Sequence, residues 1–501
     1  MASRTTDEVA KRPVGLRRNL SVWQAVGLSV ALMAPSMAAN INPQFTGLTV
    51  GRAVPLAFLL AAIGVLFVGY GFVRLCQYYQ HSGSVYAFVG LTLGPRTGVV
   101  SGLALFATYV FYGVVTSSAA GLLGAAFLDQ TGIWTSPPAW APFLIAAVAL
   151  LGALALTVVP ARRGTSTLLT IEVATIAIIL IVSGVVLARV IAGSAPHGGT
   201  QHFDLSVFEV SPGTDTSTLF LGIVFGFLSF AGFEAASTLG EETGHPRRDI
   251  PRAILGTAIF GGVFFVVVTA IEMMGFGAGA AGVKAFTSSP SLLGDLGTSY
   301  IGAWVGDIVT LGAAISGFGS CLACTVGASR LLFALSRDAG GEDRGLARVT
   351  AGGTPGRSAA LVTGLMMLVF VICITFGAKI EDTFAWSGTI GTLILLVAYV
   401  LTTIGAIRLV FVQRKMAVPM WQVVIPVAAL ALLGYTIDRN VFPYPTEGPA
   451  RFFPVVAGGW LVLCVVAVLA APAAAARLGR RLAAEEGIAT EREDVPRLAD
   501  A

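Results

Sequence analysis

Two acidic residues stand where acidic residues are costly. Residues 225–254 read FGFLSFAGFEAASTLGEETGHPRRDIPRAI, with Gly226 and Gly232 inside an apolar run and Glu234 directly after Gly232-Phe233. The run turns polar only at Glu241, Glu242 and Pro246. A second carboxyl group, Glu172, sits within STLLTIEVATIAIILIV. An acidic side chain at the centre of a bilayer helix costs about 2.5 to 3.5 kcal/mol on insertion scales. A glycine weakens a helix by about 1 kcal/mol. A chain that accepts both costs is expected to use these positions, and the chemistry open to a buried carboxyl group is loading and releasing a proton. For Glu234 a structural reading stands beside that one, in which the side chain satisfies loosened backbone and staples its helix. Other chemistries lack their residues. The histidines at 81, 197, 202 and 245 lie in loops without metal-ligand spacing, so no metal site is expected. Cys321-x-x-Cys324 lies in a long helical span without a His or charged partner and reads as packing. No nucleophile–base pair suggests an enzyme, no GxxxxGK[ST] motif suggests ATP as the driving force, and no cofactor is implied.

The elements that hold these residues must cross a membrane. Hydrophobic residues make up 55% of the 501-residue chain and charged residues 12%, which leaves little for a soluble domain. The 60 glycines suit helices that pack closely through small residues. Apolar segments long enough to span occur near 22–48, 53–76, 97–128, 141–160, 166–192, 218–239, 252–277, 300–335, 358–377, 382–412, 420–437 and 452–472, predicting twelve transmembrane helices in one bundle. With the N-terminus inside, 25 of the 31 Lys and Arg fall on the inner side and 6 on the outer. That bias predicts a multi-pass protein of the plasma membrane with both termini cytoplasmic. The expected organisation is a cytoplasmic tail over 1–20, a single transmembrane domain over 21–476 and a cytoplasmic tail over 477–501, the last a short amphipathic helix or disordered. The polar insert 193–217 is then outside. Glu272, Asp307 and Asp382 lie near predicted helix ends and are expected to be hydrated.

Two of these helices carry breaks. The first span reads VGLSVALMAPSMAANINP, and Pro35 both lacks an N–H and clashes with the preceding turn. The sixth has a weak point at Ser229-Phe230-Ala231-Gly232. Breaks five helices apart are what an inverted five-plus-five repeat produces, with unwound backbone at the midplane offering free N–H and C=O groups to a substrate. Either break alone reads as a kink in a packed helix; the matched pair favours the repeat.

The stretch SFAGFEAASTLGEETGHPRRDIPRAI closely resembles the sixth helix and following loop of the amino acid–polyamine–organocation superfamily of transporters. SGSVYAFVGLTLGP at 82–95, ASRLLFALSRDAG at 328–340 and FAWSGTIGTLILLVAYV at 384–400 support the resemblance, which spans helices 1 to 10. It implies the leucine-transporter-type fold, all-α, with broken helices 1 and 6 and two extra helices, and secondary transport of amino acids or related amines. It further implies that Ala34, Pro35, Ser36 and Met37 face a substrate carboxylate and that Ser229, Phe230, Ala231, Gly232 and Phe233 lie near its amino group. Glu234 matches a position that is acidic in many relatives. Where the family often has a Gly-Ser/Ala-Gly triplet, this chain has Ala34-Pro35-Ser36, with one donor fewer. Some proton-coupled relatives carry a lysine near Glu172, and its absence removes that particular mechanism.

Further lining is expected from Tyr109 and Tyr112 in helix 3, Phe227 in helix 6, and Trp386 and Ser387 in helix 10, giving an aromatic, rather apolar pocket. Ser316 and Ser320, one turn apart in helix 8, form a possible ion site, although serines in membrane helices more often bond back to their own backbone. The leading expectation is a permease importing an amino acid or small amine, coupled to protons through Glu172 and Glu234. Sodium symport and exchange without net ion coupling remain the alternatives. The expected partners are the small-molecule substrate, a proton or sodium ion and the bilayer, with no nucleic acid, in a monomer or homodimer.

Overall fold

The structure, a computed structural model, describes residues 22–79, 84–158, 162–196, 200–239, 243–340, 345–347 and 355–485. The tail 1–20, Glu241, Glu242, His81 and His197 lie outside these. Every long element is helical. In chain order they are α1 (Val22–Met33), α2 (Pro35–Val50), α3 (Val54–Tyr78), α4 (Ser84–Leu93), α5 (Pro95–Gln130), α6 (Ala141–Val158), α7 (Arg162–Ile191) and α8 (Thr216–Phe230). A 3-10 turn, Ala235–Leu239, follows α8. Then come α9 (Pro246–Phe276), α10 (Ala280–Ser288), α11 (Leu292–Tyr300), α12 (Ala303–Gly340), α13 (Gly356–Thr375), α14 (Ile380–Ile407), α15 (Val424–Val441), α16 (Phe452–Ala470) and α17 (Pro472–Glu485).

Among the described residues, ten stretches are long and apolar enough to cross a membrane. One of them, Ala25–Tyr78, is 54 residues long and contains the break between α1 and α2 as well as α3. Thr216–Phe230 is a shorter apolar helix. The chain is an all-helical, multi-pass membrane protein. Its outward surface agrees, since Leu144, Val148, Val173, Ile181, Val263, Leu368, Val462 and Leu469 are exposed in rows along the spanning helices, as lipid-facing side chains must be.

The centre is built by α5, which packs on α12 and α14, and by α3, which packs on α9. Small residues permit this closeness. Added side-chain carbons at Gly317 would stand 3.0 Å from the Thr116 carbonyl oxygen, and at Gly226 2.7 Å from Ala61 Cβ. α17 runs from Pro472 into the region expected as a tail and packs against α4, α5 and α12.

Candidate functional site

Pro35 opens α2, so α1 must stop at Met33, and Ala34 between them takes φ 46°, ψ 60°. That left-handed conformation costs a non-glycine residue about 1 to 2 kcal/mol. The second break follows Phe230. Ala231 is extended, and Gly232 has φ 102°, open only to glycine. The two breaks touch. A side-chain carbon at Gly232 would lie 2.7 Å from Leu32 Cγ and 2.8 Å from Leu32 Cβ.

Hydrogen bonds hold the breaks together and open. Ser29 of α1 donates to the Phe233 carbonyl at 3.1 Å and accepts the Ala236 N–H at 3.0 Å, bridging the gap after α8. Asn42 of α2 donates to Ser229 Oγ at 2.7 Å. Side chains of two other helices brace the first break. Ser320 of α12 donates to the Leu32 carbonyl at 2.9 Å, and Ser316 Oγ accepts the Met37 N–H at 3.3 Å. Glu172 Oε1 on α7 accepts the Ser36 N–H at 2.9 Å. The Glu234 carboxyl group stands beside the N–H groups of Gly232 and Glu234 and accepts Tyr399 O–H of α14 at 3.0 Å. Glu234 thus links its own turn to α14, and it also lines a cavity.

That cavity lies between the breaks. Met33, Met37 and Asn42 supply one wall, Ala231, Gly232 and Glu234 another, and Tyr109 and Tyr112 of α5 a third, with Ser320 and Cys324 of α12 closing it. Tyr112 O–H pairs with Thr392 Oγ1 at 2.9 Å. Asn42 Oδ1 is buried and has no hydrogen-bond partner among the described residues. One turn beyond Asn42 and Leu228, Phe45, Phe225 and Phe384 stack, with centroids 4.8 Å apart for Phe45–Phe384 and 5.5 Å for Phe45–Phe225.

Of the expected lining, the structure brings Met37, Tyr109, Tyr112, Ala231, Gly232, Glu234 and Ser320 to the cavity. Ala34, Pro35 and Ser36 are buried in the break behind it. The phenylalanines turn away. Phe227 abuts Gly64 of α3, Phe230 packs on Phe265 of α9 at 5.3 Å, and Phe233 packs on Phe72 and Tyr399. Ser229 is fully buried and donates to the Phe225 carbonyl. Trp386 and Ser387 are absent from the lining, because they lie on the early turns of α14 whereas the cavity meets that helix at Leu395. The expectation that Ser316 and Ser320 bond to their own backbone is corrected, since both bond to helix 1. Glu272 is corrected too. It is fully buried, and neither carboxyl oxygen has a hydrogen-bond partner among the described residues. The residues missed were Asn42, Tyr399 and the Phe45–Phe225–Phe384 stack; Asn40-Ile-Asn42, polar residues in an apolar span, was a readable signal. Among the described residues no cluster of His, Cys, Asp or Glu is placed to hold a metal, and all five cysteines are buried thiols.

The family model described as Amino acid permease matches residues 44–436. The chain belongs to the amino acid permease family. The match takes in the second break, Glu234 and Glu172 but starts beyond the first break. Among curated relatives, this permease is 28% identical to the low-affinity putrescine importer PlaP of Escherichia coli (strain K12) over 330 residues, 65% of this chain and 68% of that protein. It is 25% identical to the branched-chain amino acid permease BcaP of Bacillus subtilis (strain 168) over 308 residues, 58% of this chain and 61% of that one. It is 27% identical to an uncharacterized transporter of Mycobacterium tuberculosis over 346 residues, 65% and 68% of the two chains.

Proposed function

We propose that this permease carries an amino acid or related small amine across the plasma membrane by alternating access, with the substrate held between the two helix breaks. The observation that carries the reading is the contact of Gly232 with Leu32 around one cavity, which makes the breaks a single site. Unwound backbone at the midplane is how such transporters meet their substrates. Relatives named as a putrescine importer and a branched-chain amino acid permease support the substrate class.

The order of elements supports an inverted five-plus-five repeat. The broken α1–α2, α3, α5, α6 and α7 form one unit; α8 with its 3-10 turn, α9, α12, α13 and α14 form the other. Short helices fall at the same place in each, α4 before the third member of the first unit and α10–α11 before the third of the second. With α15 and α16 this makes twelve spans, in one transmembrane domain with both termini cytoplasmic.

Transport is coupled to protons, with Glu172 as the coupling group and Glu234 in support. Glu172 on α7 bonds to the first break, so movement of α2 relative to α7 would change that contact. Glu172→Gln is expected to cut pH-gradient-driven uptake into proteoliposomes at least tenfold; uptake unchanged from the wild type would remove Glu172 from coupling. Exchange without net ion coupling is the second reading, and accumulation in counterflow alone, with no response to an imposed proton or sodium gradient, would favour it. Absence of uptake for every amino acid and amine tried would contradict the permease reading.

A further inference from the structure

Every backbone donor that a substrate carboxylate would use at the first break already has a partner. Residues 34–38 are the first break and the start of α2, where an anionic substrate group is expected to meet free N–H groups. The Ala34 N–H bonds to the Val30 carbonyl at 3.0 Å. Pro35 has none. The Ser36 N–H goes to Glu172, the Met37 N–H to Ser316 Oγ, and the Ala38 N–H back to the Ala34 carbonyl at 2.8 Å. The second break offers no replacement. The Ala231, Phe233 and Ala235 N–H groups bond within the turn, and those of Gly232 and Glu234 face the Glu234 carboxyl group.

The cavity is supplied instead for a cation. Glu234 lines it, and among the described residues Asn42 Oδ1 has no partner and no Lys, Arg or His is in the lining. The rings of Tyr109 and Tyr112 add π-faces that attract ammonium groups. A buried carboxylate left without donors is strongly disfavoured, because its lost hydration is not replaced.

We propose that Glu172 is a built-in stand-in for the substrate carboxylate, and that the permease therefore selects cationic amines lacking an α-carboxylate over the matching amino acids. The proposal rests on the permease reading above and narrows its substrate. Selection of this kind needs an oxygen on the Ser36 N–H, so Glu172→Gln, which keeps an oxygen there, and Glu172→Ala, which removes it, have different consequences.

The test uses purified full-length protein and pairs that differ only by the carboxylate: putrescine and ornithine, tyramine and tyrosine, 3-methylbutylamine and leucine. Equilibrium binding, read by ligand-induced thermal shift across a concentration series, is expected to favour the amine at least tenfold in whichever pairs bind. Glu172→Gln is expected to keep that ratio, and Glu172→Ala to reduce it at least tenfold, mainly by improved amino acid binding. A wild-type protein that binds the amino acid as tightly as the amine, or more tightly, overturns the proposal and leaves the permease reading standing. A ratio unchanged in a folded Glu172→Ala removes the role of Glu172. Should that variant not fold, the wild-type pairs decide alone. Binding of no member of any pair overturns the permease reading and this proposal with it.

Discussion

The two breaks solve one problem in opposite ways. The first, at Ala34, is forced by a proline and carries no glycine; its backbone groups are satisfied from outside, by Glu172 on α7 and by Ser316 and Ser320 on α12. The second, at Ala231–Glu234, is permitted by Gly232 at φ 102°, is capped by its own residue, Glu234, with Tyr399 in support, and is tied by Ser29 to the other broken helix. A break braced from neighbouring helices changes when those helices move. A self-capped break can keep its form while the bundle moves around it. On the proposed function, the first break serves coupling and the second is a fixed floor for the substrate.

The largest expected effect is at the second break. Gly232→Ala forces a side chain into the left-handed region and against Leu32. These two costs, about 1 to 2 kcal/mol for the backbone and about 1 to 3 for overpacking, should abolish uptake and lower the melting temperature by several degrees. Normal uptake in this variant would mean that the breaks need not touch. Next comes Tyr399→Phe, which removes the donor to Glu234. A hydrogen bond to a charged group is worth about 1.5 to 3 kcal/mol, so substrate binding measured by thermal shift should weaken roughly tenfold or more. Ser320→Ala removes one brace of the first break, about 0.5 to 1.5 kcal/mol. Its main effect should be on transport rate, with binding altered less than threefold; the reverse split would undo the division of roles. Smallest is Ala34→Gly. Relief of the positive φ opposes the added freedom of the unfolded chain, so stability should change by less than about 1 kcal/mol and uptake should persist. Gly232→Ala and Ala34→Gly thus exchange the same two residue types with very different outcomes.

Much of this arrangement was legible in the residues. Pro35 has no way to continue α1, and Gly-Phe-Glu inside an apolar span has few structural reasons to exist. The spans could be read from length and hydropathy because lipid forbids unsatisfied backbone. What could not be read was direction. The sequence does not give the rotation of α8 about its axis, and beyond the break the helical phase is lost, so the spacing of Phe227, Phe230 and Phe233 does not say that they face α3, α9 and α14 rather than the cavity. Partners far apart in the chain were equally hidden. Ser29 lies 204 residues from Phe233 and Ser320 lies 288 from Leu32. Serine back-bonding is the common local pattern, but at a break the carbonyls left free by the missing turn accept the hydroxyl instead.

The central claim is that one substrate site lies between the two breaks. Electron cryo-microscopy of the full-length protein in lipid nanodiscs, saturated with an amine that it transports, tests this most directly. The account predicts ligand density bounded by Met37, Asn42, Tyr109, Gly232 and Glu234, with the Glu172 oxygen still on the Ser36 N–H. Density at any other place, with this cavity empty in the saturated protein, would contradict it.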